Sequence, residues 1–255
     1  MLQDRTVLIT GASAGIGEAC AAVLAAEGAR LILAARRRDR LGALADELQQ
    51  RHGAAVHVVE LDVRRRESVN ESIESLPAEW AAIDLLVNNA GLSRGLDPLH
   101  EGAPRDWEEM IDTNLKGLLW VDRAVVPGMV RRGAGHVIHI GSIAGRQVYP
   151  GGNVYCATKH AVRALTDGLR LDLAGTAVRV TSIDPGLVNT EFSTVRFRGD
   201  RKRADSVYRG MTPLTADDVA QAVLFAATRP AHVTVADLLL LPTDQASANL
   251  VYRRG

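Results

Sequence analysis

The sequence predicts an α/β fold: one doubly wound parallel sheet with helices on both faces, forming a single domain over residues 1–255. Three observations predict it. Short apolar, β-branched runs recur along the chain, and stretches of helical spacing separate them. Strands that alternate with helices pair in parallel through right-handed crossovers, which puts helices on both faces. Finally, a glycine-rich turn, Gly11-Ala-Ser-Ala-Gly15-Ile-Gly17, lies between the first strand and the first helix. The length of 255 residues suits one large α/β domain. No internal repeat, low-complexity segment or linker divides it.

Thr6–Thr10 is the first strand, and the helix after the turn runs to about Glu27. The glycines let the backbone approach a pyrophosphate closely, and the helix N-terminus attracts its charge. The spacing is G-x-x-x-G-x-G. It is neither G-x-G-x-x-G nor a P-loop, which would end in Gly-Lys-Ser/Thr. Arg30–Ala35 is the second strand, followed by Arg36, Arg37 and Arg38. An acidic side chain at this place would hold the ribose 2′-hydroxyl of NAD; arginine suits a 2′-phosphate instead. Arg36 is the first candidate for that phosphate and Arg37 the second. Arg38 and Arg40 read as solvated charges.

Leu41–Gln50 has helical spacing, and Ala55–Leu61 is the third strand, ending in Asp62 and Val63. Glu67–Leu76 reads as a helix and Ile83–Val87 as the fourth strand. That strand leads into Asn88-Asn89-Ala90-Gly91, whose small and amide residues leave room for a flat ring and supply hydrogen bonds. Ala103–Arg131 is helical in pattern, with Pro127 interrupting it late. Asn114 lies within it, a poor helix former able to rearrange local backbone bonding.

Gly135–Gly141 is a further strand, Val154–Leu173 a long helix, and Ala177–Ile183 a strand that Asp184-Pro185-Gly186 breaks. Residues 187–214 are basic and lack periodicity, the signature of a mobile loop or lid. Thr215-Ala-Asp-Asp218 opens a last helix with a capping pattern, and Val233–Leu241 is the final strand.

The chemistry centres on Tyr155 and Lys159, which share one helix face. A cation beside a phenol favours phenolate, so Lys159 is expected to lower the Tyr155 pKa. Tyr155 then serves as a general acid or base near neutral pH. Ser142, at a strand end, could hydrogen-bond the oxygen that Tyr155 protonates. Cys156 is expected to face away from the site as an inert thiol.

Composition excludes several classes. Hydrophobic residues make up 47%, and Lys+Arg and Asp+Glu number 30 each, so the formal net charge is zero. Nothing favours nucleic acid or an acidic membrane surface. The two cysteines, Cys20 and Cys156, imply no disulfide framework. His136 and His139, three apart on a strand, point to opposite faces, so no metal site is expected. The N-terminal residues read directly into a strand without a signal-peptide pattern, and no apolar run is long enough to span a bilayer. A cytoplasmic location is the expectation.

Taken together, Thr10-Gly11-x-x-x-Gly15-x-Gly17, Asn88-Asn89-Ala90-Gly91, Asn114, Ser142, Tyr155-x-x-x-Lys159 and Pro185-Gly186 occur in order. Over essentially its full length the chain resembles the short-chain dehydrogenase/reductases. It is most similar to their bacterial NADP-dependent 3-hydroxy acid dehydrogenases, which act on serine and allo-threonine. Ser75-Leu-Pro-Ala-Glu-Trp80, Met110-Ile-Asp-Thr-Asn114, Gly151-Gly-Asn-Val-Tyr155, Val195-Arg-Phe-Arg-Gly-Asp200 and Pro230-Ala-His-Val233 carry that likeness. Arg146-Gln147 departs from it, where smaller or less polar residues are expected.

The resemblance implies a Rossmann-type fold and NADP(H) as cofactor. It implies Tyr155 as acid/base, Lys159 lowering its pKa and binding the nicotinamide ribose, and Ser142 positioning the substrate oxygen. Asn114 would hold a water linking Lys159 to solvent. Cofactor contacts are implied at Gly11, Ser13, Gly15, Ile16, Gly17, Arg36, Arg37, Asp62, Val63, Asn89, Ala90, Gly91, Tyr155, Lys159, Pro185, Gly186, Val188 and Thr190. It also implies a homotetramer built through helices at about 104–131 and 153–173.

The expected substrate is a small hydroxy acid, most simply serine or allo-threonine, whose carboxylate needs a cation. Arg146 and Arg196 are the candidates. Arg196 and Arg198 flank Phe197, and an extended segment would lean both to one face. The alternatives are a reductase of a bulkier ketone or aldehyde, and a non-catalytic NADP(H)-binding regulator. The complete set Asn114, Ser142, Tyr155 and Lys159 argues against the regulator.

Overall fold

The computed structural model describes residues 2–254. Its elements are β1 (Thr6–Thr10), α1 (Gly15–Ala26), β2 (Arg30–Ala35), α2 (Arg38–His52), β3 (Val56–Glu60), α3 (Arg66–Glu74) and β4 (Leu85–Asn88). Then come α4 (Pro104–Ile111), a π-helical segment (Asp112–Gly117), α5 (Leu118–Arg132), β5 (Gly135–Ile140) and a 3₁₀ turn (Ile143–Gly145). The last third holds α6 (Asn153–Asp172), β6 (Val178–Pro185), α7 (Phe192–Arg196), α8 (Arg201–Ser206), α9 (Ala216–Ala227) and β7 (Asp237–Leu240).

The strands form one seven-stranded sheet in the order β3-β2-β1-β4-β5-β6-β7. Every pairing is parallel. Successive side chains of a strand face opposite sides, and here both sides are covered. Val7 and Ile9 pack with Leu24 of α1, Leu41 of α2 and Val223 of α9. Leu8, between them, packs in the other layer with Val69 of α3 and Val121 and Met129 of α5. That explains why the strands read as continuous apolar runs. The strand order reverses between β1 and β4, which leaves a crevice beyond the carboxyl ends of the strands.

The structure departs from the sequence reading in three places. The single helix expected over residues 103–131 is two helices joined by π-helical turns around Asn114. Pro127 lies inside α5 without ending it, because Val125, Val126 and Met129 hold that helix against the sheet. The strand expected to break at Asp184 continues through Pro185, with Asp184 and Pro185 paired to Leu239 and Leu240. The segment 187–214 is not structureless: α7 and α8 lie in it. Each spans only a turn or two, too short for a periodic signal. At Thr215 the capping box is complete, the hydroxyl accepting from the Asp218 backbone.

Candidate active site

The crevice is a cavity of about 870 Å³. Its floor begins at the glycine-rich turn. Gly11 and Gly15 have φ of +67° and +58°, a region that disfavours side chains. A Cβ on Gly17 would lie 2.4 Å from the Gly11 carbonyl oxygen, so the turn closes only with glycine there. Thr190 caps the turn, its Cβ 3.2 Å from where a Gly15 Cβ would stand.

Gly11, Ser13, Gly15, Ile16, Arg36, Arg37, Asp62, Val63, Asn89, Ala90, Gly91, Pro185, Gly186, Val188 and Thr190 all line this cavity. So do Ser142, Tyr155, Lys159 and Arg196. Gly17, Asn114 and Arg146 do not. Gly17 packs under the turn and Asn114 behind the wall.

The cavity fits a dinucleotide phosphorylated on its ribose. At the end of β2, Arg37 Nε donates to Ser13 Oγ (3.1 Å) and its Nη1 to Glu191 (2.9 Å). Glu191 also accepts from Arg40 at 2.8 Å. Arg36 beside them lines the cavity and is in no ion pair among the described residues. Across the cavity, Asp62 holds Arg64 through paired bonds, which keep its carboxyl below the usual range. Thr113 is 8% exposed and its hydroxyl lacks a partner, although it faces the cavity. Thr113 and Arg64 were not predicted. Neither residue type stands out in a sequence, and only the fold brings them to the wall.

The candidate catalytic groups meet at the other end. The π-helical turns aim Asn114 inward, a deformation common at functional sites. Its Oδ1 accepts from Leu92 N (2.8 Å), and its Nδ2 donates to Leu92 O (2.8 Å) and Thr158 Oγ1 (3.1 Å). Gly91 sits against this group: a Cβ there would be 3.3 Å from Asn114 Oδ1 and 3.7 Å from Lys159 Nζ. Lys159 Nζ donates to Ile140 O at 2.8 Å. Burial lowers the Lys159 pKa to about 8, and the charge of Asp184 opposes that fall. Ser142 Oγ accepts from Ala144 N at 3.1 Å, which fixes it at the head of the 3₁₀ turn.

The Tyr155 phenol departs from expectation. Burial and the neighbouring Tyr149 push its pKa up, while the Arg196 cation and the Ser142 hydroxyl pull it down. The cation that draws it down is Arg196, and Lys159 is not among the causes of its shift. Arg196 is 8% exposed, with its guanidinium 5.6 Å from the Tyr155 ring centre and 5.1 Å from that of Phe192. Its Nη2 donates to Tyr149 Oη at 3.2 Å, and its Nε has no partner.

The two arginines proposed for a substrate anion part company here. Arg146 is held by Asp184, through Nε at 2.8 Å, and by Asp237. Two carboxylates already satisfy it outside the cavity, so the expectation that it meets a substrate is set aside. Nor do Arg196 and Arg198 share a face. Arg196 ends α7, whereas Arg198 has φ of +51° and turns away to Asp106 and Glu109. Cys156, adjoining Tyr155, is fully buried in the same apolar cluster as Tyr155 and Met110, and its thiol is pushed up by burial.

The model of the family described as short chain dehydrogenase matches residues 5–200. The chain therefore belongs to the short-chain dehydrogenases. It is 52% identical over 250 residues to the NADP-dependent 3-hydroxy acid dehydrogenase YdfG of Salmonella typhi, covering 98% of this chain and 99% of that one. It is 47% identical over 241 residues to sulfoacetaldehyde reductase 2 of Chromohalobacter salexigens, covering 94% and 95%. Among solved structures, a closed form of serine dehydrogenase complexed with NADP+ superposes with a TM-score of 0.92 at 50% identity. That match covers 98% of this chain and 100% of the other.

Proposed function

We propose that this chain is an NADP(H)-dependent oxidoreductase that interconverts an alcohol and its aldehyde or ketone on a small 3-hydroxy acid such as serine or allo-threonine. One observation carries the substrate class. Arg196 is a buried cation stacked on the general acid/base candidate, inside the cavity, with an unpartnered Nε. An unpaired buried donor is costly, and a substrate carboxylate relieves it. The relatives named for NADP and for 3-hydroxy acids support the same reading.

When bound, the dinucleotide supplies the hydride acceptor or donor. The glycine-rich turn and the N-terminus of α1 hold its pyrophosphate, and Arg36, with Arg37, its 2′-phosphate. Lys159 holds the nicotinamide ribose. Ser142 donates to the substrate oxygen and fixes its distance from Tyr155. In reduction Tyr155 gives its proton to that oxygen; in oxidation the phenol first gives up its own proton toward Lys159 and solvent and then takes the substrate's. Arg196 pairs with the carboxylate and aims the reacting carbon. Asn114 holds a water behind Lys159 through which the proton leaves to solvent.

A second reading has a specific basis. A relative named for sulfoacetaldehyde is 47% identical, and a sulfonate presents the same anionic chemistry to Arg196. NADP+ reduction should be followed with serine, allo-threonine and 2-hydroxyethanesulfonate, beside bulky neutral alcohols. Turnover confined to the small anions supports the proposal. Turnover confined to the bulky neutral alcohols sinks it and favours the larger-ketone alternative.

No helix of the described residues is long and apolar enough to cross a membrane. The enzyme works in the cytoplasm as a homotetramer packed through α4, α5 and α6. Light scattering that finds only a 27.4 kDa species at micromolar protein would overturn the assembly.

A further inference from the structure

We propose that Asp184, fixed from outside the cavity by Arg146, is a positioning residue for the reaction: it is the buried anion set behind the peptide that receives the Lys159 ammonium. The inference rests on the reading of Lys159 given above and goes beyond it to residues that touch neither substrate nor dinucleotide. Asp184 is 2% exposed, near the end of β6. Its Oδ1 accepts from Ser182 Oγ at 2.6 Å, and its Oδ2 from Arg146 at 2.8 Å. The carboxylate packs against Gly141. A Cβ there would come within 2.0 Å of Oδ1, so Gly141 is what lets the charge approach the end of β5.

Gly141 follows Ile140, whose carbonyl receives the Lys159 ammonium, and precedes Ser142. Asp184 therefore sits behind the backbone step that joins two of the reacting groups. The charges alternate outward: Lys159, Asp184, Arg146, Asp237. Their side chains grow more exposed along the last three, at 3%, 20% and 47%. Asp184, Arg146 and Asp237 pair in turn, which ties the buried carboxylate behind the Lys159 peptide to solvent.

The surroundings of Lys159 offer no substitute. Tyr155 lies one turn earlier on α6, and its phenol is held neutral by burial. The π-helical segment presents the neutral Asn114, and the end of β4 presents Gly91. The His139–Asp122 pair bonds to Thr166, further along α6. Asp184 acts to raise the Lys159 pKa that burial lowers. Arg146, kept out of the cavity by these carboxylates, thus acquires a role. It shares the Asp184 charge and so limits how far Lys159 is held protonated.

Two variants test this with opposite signs. Asp184→Asn keeps the shape, with the amide oxygen accepting from Arg146 and the amide nitrogen donating to Ser182 Oγ, but removes the anion. The Lys159 midpoint should fall by about one pH unit. Arg146→Gln removes the competing cation, and the midpoint should rise. The midpoint is read in the full-length protein by competitive acetic anhydride labelling of Lys159 across pH, followed by mass spectrometry. The alkaline limb of kcat/KM for serine should move in the same directions. Should Asp184→Asn fail to fold, Arg146→Gln decides alone: a rise supports the proposal. An unchanged or falling midpoint in Arg146→Gln overturns it, as does an unmoved midpoint in a folded Asp184→Asn. A labelling shift with no matching shift in kcat/KM leaves this charge relation standing and refutes the catalytic reading of Lys159.

Discussion

Replacing Arg196 by leucine removes one cation from the cavity while leaving much of the apolar bulk that packs on Phe192. In the structure that guanidinium holds one bond, to Tyr149 Oη at 3.2 Å, and keeps Nε for a ligand. A charge-assisted hydrogen bond to a carboxylate contributes about 1.5–3 kcal/mol. Losing it should lower kcat/KM for a hydroxy acid roughly ten- to a hundred-fold, at about 1.4 kcal/mol per decade. The same cation also draws the Tyr155 pKa down, so a neutral alcohol suffers too. That second loss is of cation–π size, about 0.5–2 kcal/mol, and it is common to both substrates. The test is a ratio. NADP+ reduction is measured at one pH with serine and with 2-propanol, in the unmodified protein and in Arg196→Leu. The acid should lose about ten-fold more than the alcohol. Equal losses would refute the carboxylate assignment and leave Arg196 as a tuner of Tyr155 alone.

Other outcomes follow from the same geometry. Tyr155→Phe should abolish turnover and leave NADP+ binding nearly intact, since the ring stays and only the transferring hydroxyl goes; retained kcat in that variant would show the proton moves elsewhere. Ala35→Asp with Arg36→Ala should shift preference toward NAD(H), because a carboxylate suits the free ribose and the phosphate loses about 1.5–3 kcal/mol. Equal kcat/KM for both cofactors before mutation would contradict the role of Arg36. His136 is kept neutral by burial, with a pKa lowered from 6.5 to about 3. The unfolded chain binds that proton first, so stability is full above the unfolded pKa and falls on acidification until the folded one. Urea midpoints should show a loss of about 2 kcal/mol between pH 7 and pH 5, at about 1.4 kcal/mol per pH unit. His136→Gln should flatten that drop, and an equal drop in the variant would assign it to other groups.

The sheet was legible because both of its faces are buried. Each strand then reads as a short apolar run, and each crossover helix as a periodic one. The glycine-rich turn was legible because close approach excludes side chains there, a constraint local in sequence. Asn114 was flagged as a residue that disturbs a helix, and the π-helical segment is that disturbance. What stayed hidden was assembled from afar. Gln245, Asn249 and Arg253 reach the cavity because the tail folds back after β7. Its polar residues have no periodicity that could announce this. The lid helices α7 and α8 are held by tertiary contacts, such as Tyr208 Oη donating to Val188 O at 2.7 Å, and not by propensity.

The arginines show most clearly where sequence reasoning stops. Arg146, Arg196 and Arg198 are chemically identical, and proximity to Ser142 or Phe197 was the only guide to their use. The fold separates them by the carboxylates it supplies. Arg146 meets Asp184 and Asp237, Arg198 meets Asp106 and Glu109, and Arg196 meets two aromatic rings and a phenol. A cation that already has anions is spent on structure or on tuning. A buried cation lacking one is a standing demand for a ligand of opposite charge. Which arginine is left free for a ligand is therefore decided by acidic residues tens of positions away, on β6, β7 and α4. The same logic runs in reverse for Lys159. It is buried, and the Asp184 carboxylate, which never enters the cavity, opposes the fall that burial imposes on its pKa.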